Sequence, residues 1–161
     1  MFLVALSDFQ DGGQVTYDAT TDEIEGLPTV TIYRYSLDKH LSNVVENVVY
    51  EDGSMLHVTQ VATVIMKGQS AAKRKEFKAV TRNRVVVFFR DNNDLIKCYG
   101  IVDGMDVTNL QIDSGTAKGD LYGYTFTLTG DEKFTAPYLE AYTTNPFDNF
   151  GTITVSPAYA T

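Results

Sequence analysis

Tryptophan is missing from this chain, cysteine occurs once, histidine twice and proline four times. No apolar run approaches the roughly twenty residues that a membrane-crossing helix needs. Each shortage closes off a class of protein. The single cysteine, Cys98, cannot form an internal disulfide, so any core must hold without staples. The two histidines, His40 and His57, have no Cys or His neighbours at zinc-ligand spacing. The opening Met-Phe-Leu-Val-Ala-Leu is apolar, but it lacks a basic leader and meets Asp8 and Asp11 too soon for a secretory signal. It reads as the first strand of a protein made and folded in a reducing cytoplasm.

What is present is a chain of 161 residues, 43% hydrophobic, with ten Tyr and nine Phe. One domain of that size buries roughly 70% of the surface its unfolded form exposes. The aromatic residues favour sheet over helix. Val85-Val86-Val87-Phe88-Phe89 is an unbroken run of apolar strand formers, closed by Asp91-Asn92-Asn93-Asp94 and answered by residues 95–101. That pattern predicts a hairpin with both strand faces covered. Cys98 falls in its second strand, with no basic cluster beside it to activate the thiol, and reads as a buried structural group. Further on, Tyr122, Tyr124, Phe126 and Leu128 alternate with Gly123, Thr125, Thr127 and Thr129, the period of a strand.

Other strands are predicted at the N-terminus, over residues 29–36 after the Gly26-Leu27-Pro28 break, and after the Asp52-Gly53 turn. In the last of these Leu56, Val58, Ala62, Val64 and Met66 share one face, with Gln60 as the polar intruder and a bend near Thr59 and Gln60. Ser70 is placed to cap a helix over residues 71–80, with Phe77 and Val80 on its apolar side. Residues 11–27, rich in acidic side chains, read as a flexible loop. A β-rich domain over 1–138 then gives way to an extended arm over 139–161, where Pro146 and Pro157 punctuate Tyr142, Phe147, Phe150 and Tyr159. The arm is expected to pack along a surface, either a neighbouring subunit's or its own domain's; the neighbouring subunit is the candidate, with the arm contributing more to assembly than to folding. The fold class is mainly β, an antiparallel sandwich or barrel with one short flanking helix.

Charge is segregated. Residues 67–90 hold eight basic side chains against one acidic, Glu76, a local +7 that leaves −15 for the rest of a chain whose net charge is −8. Such bipolarity steers one copy onto another or onto a charged partner. Lys73, Arg74, Lys75, Lys78 and Arg82, in a basic helix region over 67–84, and Tyr142, Phe147 and Phe150 on the arm are the candidate subunit-interface residues.

Catalytic, metal and cofactor patterns are absent. Asp91 to Asp94 lack the spacing of a calcium loop, and Asp103, Asp106, Asp113 and Asp120 are spread over a turn-rich interval. Gly115, Gly119 and Gly123 do not make a phosphate loop, because Lys118 precedes its glycine and a strand follows. Ser114, His57 and Asp113 have the residue types of a triad without a nucleophile elbow. No enzyme, cofactor or metal is expected.

A resemblance adds to this reading. Val85 to Asn93, Tyr99-Gly100, Asp103-Gly104-Met105, Ser114 to Asp120, Gly123 to Gly130 and Ala136-Pro137-Tyr138 together resemble structural proteins of tailed phages. The likeness is to tail or head–tail connector proteins, particularly of phages infecting Bacteroidetes, and to the wider tail-tube fold, over about half the chain from Val58 to Tyr138. It implies a β-sandwich or barrel subunit, assembled as a six- or twelve-fold homo-oligomeric ring in a virion tail or neck. Other tail or portal proteins would be its partners, DNA would pass through without specific binding, and no membrane is involved. The runner-up is a carbohydrate- or receptor-binding module with exposed tyrosines at its site; a small hydrolase with an acidic site is a third class.

Overall fold

The computed structural model describes residues 1–37, 41–115 and 120–159. His40, Lys118 and Gly119, named above, lie outside them. The chain is mainly β, with several antiparallel pairings and two helices. Its strands are β1 (Phe2–Ala5), β2 (Thr16–Tyr17), β3 (Ile24–Gly26), β4 (Val30–Arg34), β5 (Asn43–Glu51), β6 (Ser54–Lys67), β7 (Val85–Arg90), β8 (Ile96–Tyr99), β9 (Asp106–Asp113), β10 (Gly123–Glu132) and β11 (Ile153–Ser156). The helices are α1 (Leu6–Asp11) and α2 (Ala71–Val80).

Two sheets organise the molecule. One has the order β11-β4-β1-β7-β8, the other β5-β6-β10-β9, and β2 pairs with β3 in a small ribbon. The five-stranded sheet is covered on both faces, which is why β7 is apolar at every position from Val85 to Phe88. Alternation then deals its residues to two separate cores. Leu3, Val85, Val87 and Tyr99 meet Ala62, Val64, Met66, Tyr124, Phe126 and Leu128 of the four-stranded sheet, with Phe77 of α2 closing one side. Phe2, Val4, Ile32, Val86, Phe88 and Cys98 meet Phe9 of α1, Ile24, Leu27, Leu139, Phe147 and Phe150 on the opposite face.

Local signals explain the elements that form. Ser70, in extended conformation, accepts a hydrogen bond from Lys73 N at 3.2 Å and so caps α2 at the predicted residue. The turn after β7 is closed by Asp91 Oδ1, which accepts from Asn93 N at 2.8 Å and Leu95 N at 2.9 Å. Gly123 is required by close approach: a Cβ there would run into the Met66 carbonyl oxygen of the adjoining strand. Tyr122, predicted to share the face of Tyr124, precedes β10 and is exposed.

Several expectations are corrected. The acidic stretch 11–27 holds the β2–β3 ribbon, and Ile24 and Leu27 are buried, so it is a packed flap rather than a loose loop. The Asp103 to Asp120 interval contains β9, an eight-residue edge strand whose Val107 and Leu110 face the core while its polar residues face water. The irregularity anticipated near Thr59 and Gln60 falls a few residues earlier: β6 keeps its register through them and shifts at Leu56, opposite Val49 and Tyr50.

The largest correction concerns the arm. Residues 139–159 are part of the fold: Leu139, Phe147 and Phe150 are buried in the second core, and β11 adds to β4 as a parallel edge strand. Parallel pairing with a strand more than a hundred residues away leaves no hairpin signal in the sequence. Residues 137–139, which lead into this segment, protect the edge of β8, where Cys98 N donates to Pro137 O and Leu139 N to Ile96 O.

Candidate assembly surfaces

The site residues named from sequence divide into two groups. Phe147 and Phe150 are 4% and 5% exposed, and Tyr142 is half-buried against the same core. The Phe147 ring meets Phe2 edge-on at 4.9 Å between centroids and Phe88 at 5.2 Å. Arg90 Nη1 donates to the Tyr142 hydroxyl. Phe147 and Phe150 are spent inside their own subunit and cannot also line an interface, a second correction, while Tyr142 keeps part of its surface in water. Hydrophobic burial within the chain takes them first, because the outer face of the five-stranded sheet would otherwise be wet.

The basic group is different. Arg74, Lys75, Lys78 and Arg82 are exposed on α2 and the turn beyond it. Lys73 is turned back on its own chain, its Nζ donating to Lys67 O at 3.0 Å and Gly68 O at 3.1 Å. Arg84 is tied to Asp106 at 3.3 Å and Arg90 to Asp94 at 3.5 Å. The basic surface open to partners is therefore narrower than the sequence count, and it is centred on α2.

Beside α2 runs an open groove of about 460 Å³ between the helix and the end of the five-stranded sheet. Ala5, Tyr33, Tyr35, Ala79 and Val80 give it apolar walls, and Lys75 stands at its rim. Glu76 also lines it, accepting a hydrogen bond from the Tyr35 hydroxyl at 3.4 Å. Burial, reinforced by the Glu76 charge, pushes the Tyr35 phenol up to about 12, so it stays a neutral donor.

At the other end of the four-stranded sheet the β5–β6 hairpin runs past its neighbours. β10 stops where Glu132 meets Val58, so Ser54 to His57 are paired only with the end of β5. Asp52 and Gly53 both have positive φ, at 51° and 80°, the conformation of a two-residue hairpin turn that Asp-Gly supplies. On this extension Tyr50 is 67% exposed, Leu56 55% and Met55 41%. The sequence carried a signal for it. Val44, Val45, Val48 and Val49 are strand formers leading to an Asp-Gly turn, but the interspersed Asn43, Glu46 and Asn47 obscure the run.

A polar network joins the two sheets beside this hairpin. Glu46 of β5 pairs with Lys97 of β8 at 3.1 Å and accepts from Ala136 N at 2.6 Å. Gln60, the polar intruder on the buried face of β6, donates to Glu46 and accepts from Gly100 N at 2.9 Å. Burial opposes the charge on Lys97, but the hydrogen bond and charge of Glu46 outweigh it and raise its pKa. These groups are consumed in holding structure.

The candidate reactive residues named from sequence are placed as follows. Burial, with Glu132 adding repulsion, pushes the Cys98 thiol well above its ordinary range, so it is not a nucleophile. Asp113 sits opposite Gly123 and Lys67, whereas His57 lies ten residues back along β6, about 33 Å away at strand rise. The Ser114, His57 and Asp113 set is thus scattered over the length of the sheet. Among the described residues no three metal-ligating side chains come together. No helix among them is long and apolar enough to cross a membrane. The exposed tyrosines Tyr17, Tyr33, Tyr50 and Tyr122 stand on separate elements, and Lys97 lies over the Tyr138 ring at 4.8 Å.

No family model, curated protein or solved structure matches the chain.

Proposed function

We propose that the chain is a structural subunit of a phage tail or head–tail connector, self-assembling into a ring or tube through which DNA passes. The observation that carries this reading is the β5–β6 hairpin, which holds Tyr50, Met55 and Leu56 out in water beyond the sheet. Apolar side chains grouped at a projecting tip are what a protein contact covers. The resemblance of residues 58–138 to tailed-phage structural proteins supplies the setting.

Electrostatics fit the same reading. The outer face of the four-stranded sheet carries Thr59, Thr63, Thr125, Thr127 and Thr129 interleaved with Val45, Val61 and Ile65, and Asp106 and Asp131 lie toward its margins. Lys67, at one end, is the basic residue on its two central strands. A face of hydroxyl and aliphatic side chains without a basic stripe would let nucleic acid slide, whereas a basic stripe would retain phosphates through counterion release. We assign that face to the lumen.

The test is electron microscopy and light scattering of the full chain over rising concentration and salt. Rings or tubes that weaken as salt rises are expected. A monomer at every concentration, particularly one that binds glycans, would replace the structural reading with the binding-module one.

A further inference from the structure

We infer that the β5–β6 tip of one copy docks in the groove beside α2 of a second copy, a head-to-tail contact that rests on the self-assembly proposed above. Three observations meet in it. The tip is apolar on both faces: Tyr50 pairs with Met55 on one, and the register shift leaves Leu56 unpaired on the other. It is also acidic, since Glu51 ends β5 and Asp52 stands in the turn. The groove offers the complement, apolar walls from Ala5, Tyr33, Ala79 and Val80 with Lys75 at the rim and Arg74, Lys78 and Arg82 exposed nearby. Its one carboxylate, Glu76, is engaged by Tyr35.

The occupant must come from another molecule. Tip and groove lie at opposite ends of β6, whose fourteen residues from Ser54 to Lys67 span about 43 Å at strand rise. Helix α2 packs through Phe77 on Tyr124, opposite Met66, and the groove reaches from there to Val85 near the middle of the sheet, so the projecting tip of the same chain cannot fold back into it. A subunit thus presents the plug at one end and the socket at the other. Such a contact does not use the same patch on both partners, so it does not stop at a dimer: it propagates into a closed ring or an open stack.

Two variants separate the halves of the contact. Leu56→Asp spoils the tip on a hairpin that supports no core, and Ala79→Glu spoils the groove at an exposed helix position. Each should keep the melting temperature of the parent and lower assembly at least tenfold in light scattering. An equimolar mixture should form dimers and go no further, because one intact tip meets one intact groove. A second measurement is independent of variant stability: Leu56→Cys and Ala79→Cys chains, mixed and oxidised, should cross-link to each other, the native Cys98 being wholly buried. If the parent chain assembles but both charge variants do so equally and no 56-to-79 cross-link forms, the docking is wrong and assembly proceeds through another surface. If the parent chain stays monomeric throughout, the docking and the structural reading fall together.

Discussion

Phe88 has a neighbour on every side: Phe9 at 6.1 Å between ring centroids, Phe147 edge-on at 5.2 Å and Phe2 opposite it on β1. It is wholly buried, so Phe88→Ala should cost about 3–5 kcal/mol and lower the melting temperature by on the order of 10 °C in calorimetry. A change of a degree or two would mean the cavity is filled by collapse. Phe147 tells the same story from the backbone. Its φ of +71° is a strained conformation for a bulky residue, costing about 1–3 kcal/mol, and it is held because the ring is clamped among Phe2, Phe88 and Phe150. Nearby, Asp148 accepts hydrogen bonds from the Thr143 hydroxyl at 2.7 Å and from the amides of Thr143, Thr144 and Asn145. The Thr143 hydroxyl and these amides hold its carboxyl far below the usual carboxylate range. A depressed folded-state pKa contributes stability that is complete above the unfolded value near ~3.9 and is lost as pH falls toward the folded one. The melting temperature of Asp148→Asn should therefore lie below that of the parent at neutral pH, with the gap closing below about pH 4. A gap that does not narrow at all between pH 7 and pH 2 would assign the loss to geometry rather than charge.

Among the elements, those with short-range signals were legible and those defined by distant partners were not. Helix α2 begins at its Ser70 cap, the β7–β8 hairpin turns at Asp91, and the inward faces of β6 and β10 hold the apolar residues that alternation assigns them. Leu56 is the exception on β6, because the sheet ends before it and nothing remains to cover it. β9 reads as turns because its sequence, DVTNLQID, is rich in polar residues that an edge strand tolerates on its outer face. β11 has four residues beside a proline and needs β4 before it is a strand at all. The segment that contains it is structural, and deletion of residues 142–161 tests that directly. Phe147 and Phe150 are worth about 3–5 kcal/mol each on truncation, against a total stability of roughly 5–15 kcal/mol. The deletion should abolish cooperative melting; a soluble chain with a sharp transition would return the segment to the role of an arm.

At the scale of the molecule, charge segregation and the projecting hairpin combine into polarity. The basic excess over 67–90 resolves into a few open cations around α2, because Lys73, Arg84 and Arg90 are engaged internally. The acidic hairpin turn sits at the opposite end of β6. A subunit with unlike ends favours directional contacts over face-to-face pairing.

The sequence by itself determined what depends on neighbours within a few residues: the strand periodicity, the cap and turn residues, the buried thiol and the uneven charge. It also identified Phe147 and Phe150 as rings in need of cover. Only the tertiary structure decided what covers them, since alternation says that a side chain faces away from its neighbours but not which surface it faces. The outer face of the five-stranded sheet was the larger apolar area at hand within one chain, and contact inside a chain does not carry the entropy cost of bringing two molecules together. The rings went there, and the tip of the β5–β6 hairpin was left in water because β10 and β9 end before they reach it.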